Sequence, residues 1–321
     1  MCVIMKIKME GYMMKYAISK DFFPLYYFSA PVVSPEIAGF FGSLLRPPRK
    51  IFYDKEIAVE TRVISGFGGG KIKVYIMTPR SSDGVIPCMV YYHGGGFVYG
   101  ASATHYYLCK EYALKTNCKI VFVDYRLAPK YQFPIPVEDC YHAYLWTIEN
   151  AKNLGIDSGR IGIGGDSAGG NLASAVALMA RDRNACMPLF QLLIYPVTDR
   201  RMITESMKNF KDTPMWNARL SVGMWKGYLG SMAHSNIEYA SPIEAPTHEN
   251  LPRTYMEVAE FDCLRDEGIA YGRALEAAGV EVTLYHTRGT MHAFDTVRKS
   301  PITEDAIQNR ISFIKRNFYQ T

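Results

Sequence analysis

The chain has 321 residues, 48% hydrophobic and 21% charged, enough apolar material for a large core and too much for a disordered chain. Thirty-six basic against 31 acidic residues give a formal charge of +5, but they are scattered without a basic block or stripe, which excludes nucleic acid as an expected partner. The longest apolar stretches, such as 22–33, are broken by Pro24 and Pro31 and are too short to span a bilayer.

The first fifty residues mix Lys6, Lys8 and Lys15 with methionines and then carry an aromatic cluster, Phe22, Phe23, Tyr26, Tyr27 and Phe28. There is no clean apolar stretch ending in a small-residue cleavage site, so no signal peptide is expected. From residue 56 strand-like runs begin. Residues 56–65 and 71–79 read as an antiparallel pair joined by the glycine-rich turn 66–70, and further runs follow at 88–92, 119–124, 160–164, 189–195, 253–258 and 281–285. Helical patterns at 105–117, 137–153, 168–182, 266–278 and 304–318 lie between or after them. Such alternation predicts an α/β fold, a mostly parallel sheet covered on both faces with the antiparallel pair at one edge. One connection breaks the rhythm. About fifty residues separate the run ending near Pro196 from the next, and within them Trp216, Leu220, Met224 and Tyr228 recur every four residues. That spacing predicts a helix face, and its position suits a lid over the ligand-binding edge of the sheet.

Seven cysteines occur without a C-x-x-C pair, and the seven histidines show no ligand spacing. Reduced, mostly buried thiols and a cytoplasmic location are expected, and no metal site. Gly162-Ile163-Gly164 begins like a dinucleotide fingerprint but has Ser167 where the third glycine belongs, and no complete phosphate-binding loop ends at Gly70-Lys71. No cofactor is called for.

The chemistry lies elsewhere. Gly165-Asp166-Ser167-Ala168-Gly169 follows a strand-like run and opens a helical pattern. A serine on such a turn is exposed in a strained backbone, the flanking glycines remove Cβ clashes, and the helix N-terminus adds positive potential. His93-Gly94-Gly95-Gly96 follows the third run. Its bare amides, Gly94 and Gly95 with that of Ala168, are expected to form an oxyanion hole, with His93 orienting the loop. For the base, His292 sits on a loop after the last strand, a better place than His286 beside the strand end. For the acid, Asp262 directly follows a strand, whereas Asp266 suits helix capping. The order Ser167, Asp262, His292 is that of α/β-hydrolases.

These pieces together resemble the hormone-sensitive-lipase-like esterases of the α/β-hydrolase fold, GDSAG subgroup. The matching stretches are 93–97 (HGGGF), 125–129 (YRLAP), 165–170 (GDSAGG), 262–268 (DCLRDEG) and 289–294 (GTMHAF), and the likeness covers about residues 55–320. Cys263 departs from the proline usual in that family. The resemblance implies a triad of Ser167, Asp262 and His292, an oxyanion hole of Gly94, Gly95 and Ala168, and a catalytic domain over 51–321. It further implies a helical cap built from residues 1–50 and an insertion at about 200–240. The expected activity is hydrolysis of small short- or medium-acyl esters, acetyl esters among them, through an acyl-enzyme. A peptidase or amidase on the same fold and a non-catalytic ligand-binding relative are the alternatives. The oligomeric state, a homodimer included, stays open.

Overall fold

The computed structural model describes residues 15–26, 47–231 and 235–320. Tyr27 and Phe28 of the aromatic cluster, most of the first fifty residues and 232–234 of the long connection lie outside the described residues. Eight strands form one sheet: β1 (Ile57–Ser65), β2 (Lys71–Pro79), β3 (Ile86–Tyr92), β4 (Lys119–Asp124), β5 (Ile156–Asp166), β6 (Phe190–Ile194), β7 (Arg253–Ala259) and β8 (Val282–Thr287). Their order is β1-β2-β4-β3-β5-β6-β7-β8. β1 and β2 pair antiparallel, β2 joins β4 antiparallel, and every remaining pair is parallel. The antiparallel pair is at the edge, as the sequence predicts. β3 is buried along its whole length, whereas edge strand β1 is mostly open to solvent. That contrast follows from covering only the parallel part of the sheet on both faces.

Six helices of twelve or more residues are present among the described residues: α1 (Ala103–Thr116), α2 (Ile135–Glu149), α3 (Ala168–Asp182), α4 (Ala218–Leu229), α5 (Arg265–Ala277) and α6 (Pro301–Tyr319). Two cores result. One packs Val137 and Tyr144 of α2, Leu172 and Val176 of α3 and Leu275 of α5 on one side of the sheet. The other packs Tyr112 of α1 and Ile307, Ile311 and Ile314 of α6 on the opposite side. The helix expected over 137–153 stops at Glu149 and resumes as one turn, Ala151–Leu154. No helix among the described residues is long and apolar enough to cross a membrane.

Winding reverses between β3 and β5. The chain runs outward from β3 to β4, then crosses back to β5 and proceeds through β8. A crevice opens at the carboxyl ends of the strands where such a reversal occurs. The loops after β3, β5, β6, β7 and β8 all start at that edge.

A buried ionic cluster docks α6. Arg310 is fully buried. Its Nε donates to Glu257 Oε2 of β7 at 2.9 Å and its Nη1 to Asp295 Oδ2 at 2.8 Å, with Nη1 also reaching the Tyr112 hydroxyl at 3.2 Å. Burial pushes the Glu257 carboxyl up, against the pull of Arg310. Removing the cation leaves two buried carboxyls without their counter-charge. Arg310→Met is therefore expected to lower the unfolding free energy by about 3–5 kcal/mol. Urea denaturation tests this, and a loss below about 1 kcal/mol would contradict the cluster's part in docking α6.

Candidate active site

Ser167 joins β5 to α3 with φ +55° and ψ −120°, a region costly to a side-chain-bearing residue, about 1–3 kcal/mol. The turn is held from three directions. The Ser167 N–H donates to the Ile194 carbonyl at 2.8 Å, and the Ser167 carbonyl accepts from the amides of Asn171 and Val197, each at 3.1 Å. The flanking glycines are a steric requirement. A Cβ on Gly169 would fall on the Tyr92 carbonyl, and one on Gly165 would meet the carbonyls of Gly169 and Tyr92.

His292, on the loop after β8, places Nε2 2.9 Å from Ser167 Oγ and Nδ1 2.6 Å from Asp262 Oδ2. Asp262, after β7, is fully buried, and its other oxygen accepts the Leu264 N–H at 3.0 Å. With Nδ1–H given to the carboxylate, Nε2 is the acceptor for the serine hydroxyl. The Tyr195 ring lies against the imidazole, centroids 4.7 Å apart. The two rivals stand aside: His286 is a β8 residue opposite Val258. Asp266 accepts from the Ser206 N–H at 2.7 Å and from Arg265 Nε at 2.8 Å. It ties the connection between β6 and β7 to the start of α5 rather than capping it.

The glycine loop corrects one expectation. The Gly94 N–H donates to Asp166 Oδ1 at 3.1 Å, so it is engaged away from the serine and is not free for an oxyanion. Gly95 and Gly96 instead line the cavity beside Ser167, and among the described residues neither amide has a protein acceptor. Both need glycine, with φ of +121° and +57°. The third amide, Ala168, is the first residue of α3, where helix N–H groups lack intrahelical partners. A run of three glycines carries no side-chain signal of which amide is spoken for. The nearest hint was an acid, Asp166, immediately before the serine. His93 holds the loop as expected: Nδ1 contacts the Gly94 carbonyl at 2.7 Å, its ring stacks on Tyr125, and the Tyr125 hydroxyl donates to the His93 carbonyl at 2.7 Å.

A cavity of about 220 Å³ opens over the serine, lined among others by Tyr99, His105, Met215, Trp216 and Asp295. Met215 and Trp216 come from the β6–β7 connection. The connection rests on the glycine loop, with the Tyr228 ring of α4 stacked on Phe97 at 3.7 Å. Residues 15–26 reach the same region. Lys15 and Tyr16 both bond Asp212 of the connection, the Ser19 N–H donates to the Gly289 carbonyl at 2.8 Å, and Phe22 packs edge-on to Phe294.

Comparison with known proteins bears on the fold and the family. A family described as the alpha/beta hydrolase fold matches residues 89–296. Esterase LipI of Mycobacterium tuberculosis is 37% identical over 248 residues, 77% of this chain and 78% of the relative. An ethyl acetate hydrolase of Pseudomonas putida is 33% identical, covering 77% of this chain and 78% of its own. Among solved structures, a bacterial heroin esterase superposes with a TM-score of 0.80 at 35% identity, over 89% of this chain and 90% of that one.

His93 gives the site a signature in stability. Burial pushes its imidazole down to about 4, with the neighbouring His105 adding to the effect. Between pH 6.5 and 4 the unfolded chain therefore takes up a proton that the folded chain refuses, and stability falls as pH falls through that window. His93→Asn keeps an N–H for the Gly94 carbonyl and removes the titration. The stability advantage of wild type over this variant, read from urea midpoints, is expected to shrink by about 2–3 kcal/mol between pH 7.5 and 4.5. A constant gap would contradict the buried neutral imidazole.

Proposed function

The chain belongs to the hormone-sensitive-lipase-like esterases of the α/β-hydrolase fold, and on that premise we propose that it is a serine carboxylesterase for small esters of short acyl chains, acetyl foremost. The observation that carries the reading is the unbroken line from Ser167 Oγ through His292 to the buried Asp262, at 2.9 and 2.6 Å, beside the amides of Gly95 and Gly96, which have no protein acceptor among the described residues.

In this reading Ser167 Oγ attacks the ester carbonyl while His292 Nε2 takes its proton. Asp262 keeps the proton-bearing Nδ1 in place and stabilises the imidazolium that forms. The amides of Gly95, Gly96 and Ala168 receive the oxyanion, in the order of 10²–10³ in turnover for each such donor. His292 then protonates the departing alcohol. Water, activated by the same imidazole, attacks the acyl-serine, and the second tetrahedral intermediate collapses to acid and free Ser167. Residues 15–26 and the β6–β7 connection act as the cap, which shields the acyl-enzyme and bounds the acyl side with Trp216. The cavity, about 220 Å³, is below the roughly 300–1,000 Å³ of drug-sized pockets, which supports short acyl groups. The ethyl acetate hydrolase among the relatives supports the same class.

The test is hydrolysis of p-nitrophenyl esters from acetyl to dodecanoyl by wild type, Ser167→Ala and His292→Ala. Turnover is expected to fall with chain length and to drop on the order of 10⁶-fold without the serine. Activity that rises toward dodecanoyl would overturn the short-acyl assignment, and a Ser167→Ala variant as active as wild type would overturn the mechanism.

A further inference from the structure

On the reading of this site as a serine esterase, we propose that His105 is a positioning residue of the oxyanion loop: from the wall of the substrate cavity it holds Asp166, and Asp166 holds the Gly94 amide, which aims the amides of Gly95 and Gly96 at the reacting carbonyl.

The chain of contacts is continuous. His105 lies in the first turn of α1 and lines the cavity. Its Nδ1 accepts the Ser102 N–H at 2.9 Å, so the ring proton is on Nε2, which donates to Asp166 Oδ2 at 3.1 Å. The opposite oxygen of Asp166 accepts the Tyr91 hydroxyl at 2.9 Å and the Gly94 N–H at 3.1 Å. Both carboxylate oxygens are thus used, one by the oxyanion loop and one by His105. Burial would raise this carboxyl, yet the adjoining His105 and the Tyr91 hydroxyl outweigh it and keep it down to about 2. It is a fixed anion throughout the working range.

The loop needs that hold. Gly95 and Gly96 lie at positive φ and have the widest backbone freedom of any residues. An oxyanion hole works only if its donors are already aimed before charge develops. Downstream the loop is closed by the Val98 and Tyr99 amides on the Gly95 carbonyl, at 3.1 and 2.9 Å. Upstream, Asp166 is the anchor on the Gly94 N–H. Without the His105 N–H, Asp166 Oδ2 loses its partner, and the carboxylate is fixed through Oδ1 alone, by Tyr91 and by the Gly94 amide it is meant to hold. Asp166 is the last residue of β5 and Ser167 follows it directly, so serine and oxyanion loop share a single reference point.

The experiment compares His105→Leu, His105→Gln and His105→Asn with wild type on p-nitrophenyl acetate, measuring kcat, KM and the inhibition constant of an alkyl trifluoromethyl ketone. Thermal unfolding is followed in parallel. The Gln side chain can present an N–H where Nε2 stood. Leu cannot donate, and Asn is too short to reach. Loss of aim is expected to lower kcat about 10- to 100-fold in the Leu and Asn variants, below the effect of deleting a donor outright. KM should stay within about twofold, and the ketone, which forms the oxyanion, should weaken in parallel with kcat. Gln should recover most of the rate. Equal losses in Gln and Leu, a loss confined to KM, or unchanged turnover in all three would overturn the proposal. Should the Leu variant fail to fold, the Gln–Asn comparison decides alone. An inactive wild type would sink the esterase reading and this proposal with it, whereas an active wild type beside unaffected variants sinks only the role of His105.

Discussion

The backbone at the end of β3 and the turn after β5 approach so closely that no side chain fits between them. A Cβ on Gly169 would occupy the Tyr92 carbonyl, and one on Gly165 would meet the same oxygen and the Gly169 carbonyl. This contact holds Ser167 at positive φ and presents its Oγ above the sheet. It also brings the glycine loop after β3 within reach of Asp166. The strain at Ser167 is held by three backbone hydrogen bonds, one of them to the Ile194 carbonyl at the end of β6. Ser167 and the amides of the glycine loop are therefore fixed by the same sheet crevice, where the winding of the fold reverses.

The remaining members of the site are held by buried charge. His292 is supported by Tyr195, whose hydroxyl donates to Asp295 at 2.7 Å, and Asp295 in turn belongs to the Arg310 cluster that docks α6. On the other flank Asp262 lies beside Cys263, whose carbonyl accepts the Ser206 hydroxyl at 2.8 Å. Ser206 and Asp266 then bond reciprocally. The acid loop is thereby coupled to the connection that overlies the cavity. Such pairing is what a water-poor site needs, because each unpaired buried polar group costs about 1–3 kcal/mol.

Much of this was legible in the sequence, for a physical reason. Parallel strands buried on both faces read as apolar runs, and the residues after them fall on one edge, so Ser167, Asp262 and His292 could be brought together by topology alone. What was not legible depends on contacts across strands. Gly94 was expected to donate to the oxyanion, but Asp166 reaches over from β5 and takes its amide. Gly96 was passed over for the same reason. Trp216 keeps the four-residue spacing with Leu220 and Met224 yet precedes α4, because the Asn217 side chain accepts the Leu220 N–H and starts the helix at Ala218. Arg310, set among Ile307, Ile311 and Ile314, went unread in the sequence, although a cation on an apolar face needs a partner. Its partner, though, lies on another strand and another loop.

The central claim is that Ser167 is the activated nucleophile. It is tested most directly by treating the protein with a fluorophosphonate, following the mass of the intact chain and locating the adduct by peptide mapping. The account predicts one equivalent of label on Ser167 at neutral pH, none on Ser167→Ala, and strongly slowed labelling of His292→Ala. Label on another residue, or an unreactive wild-type protein, would contradict it.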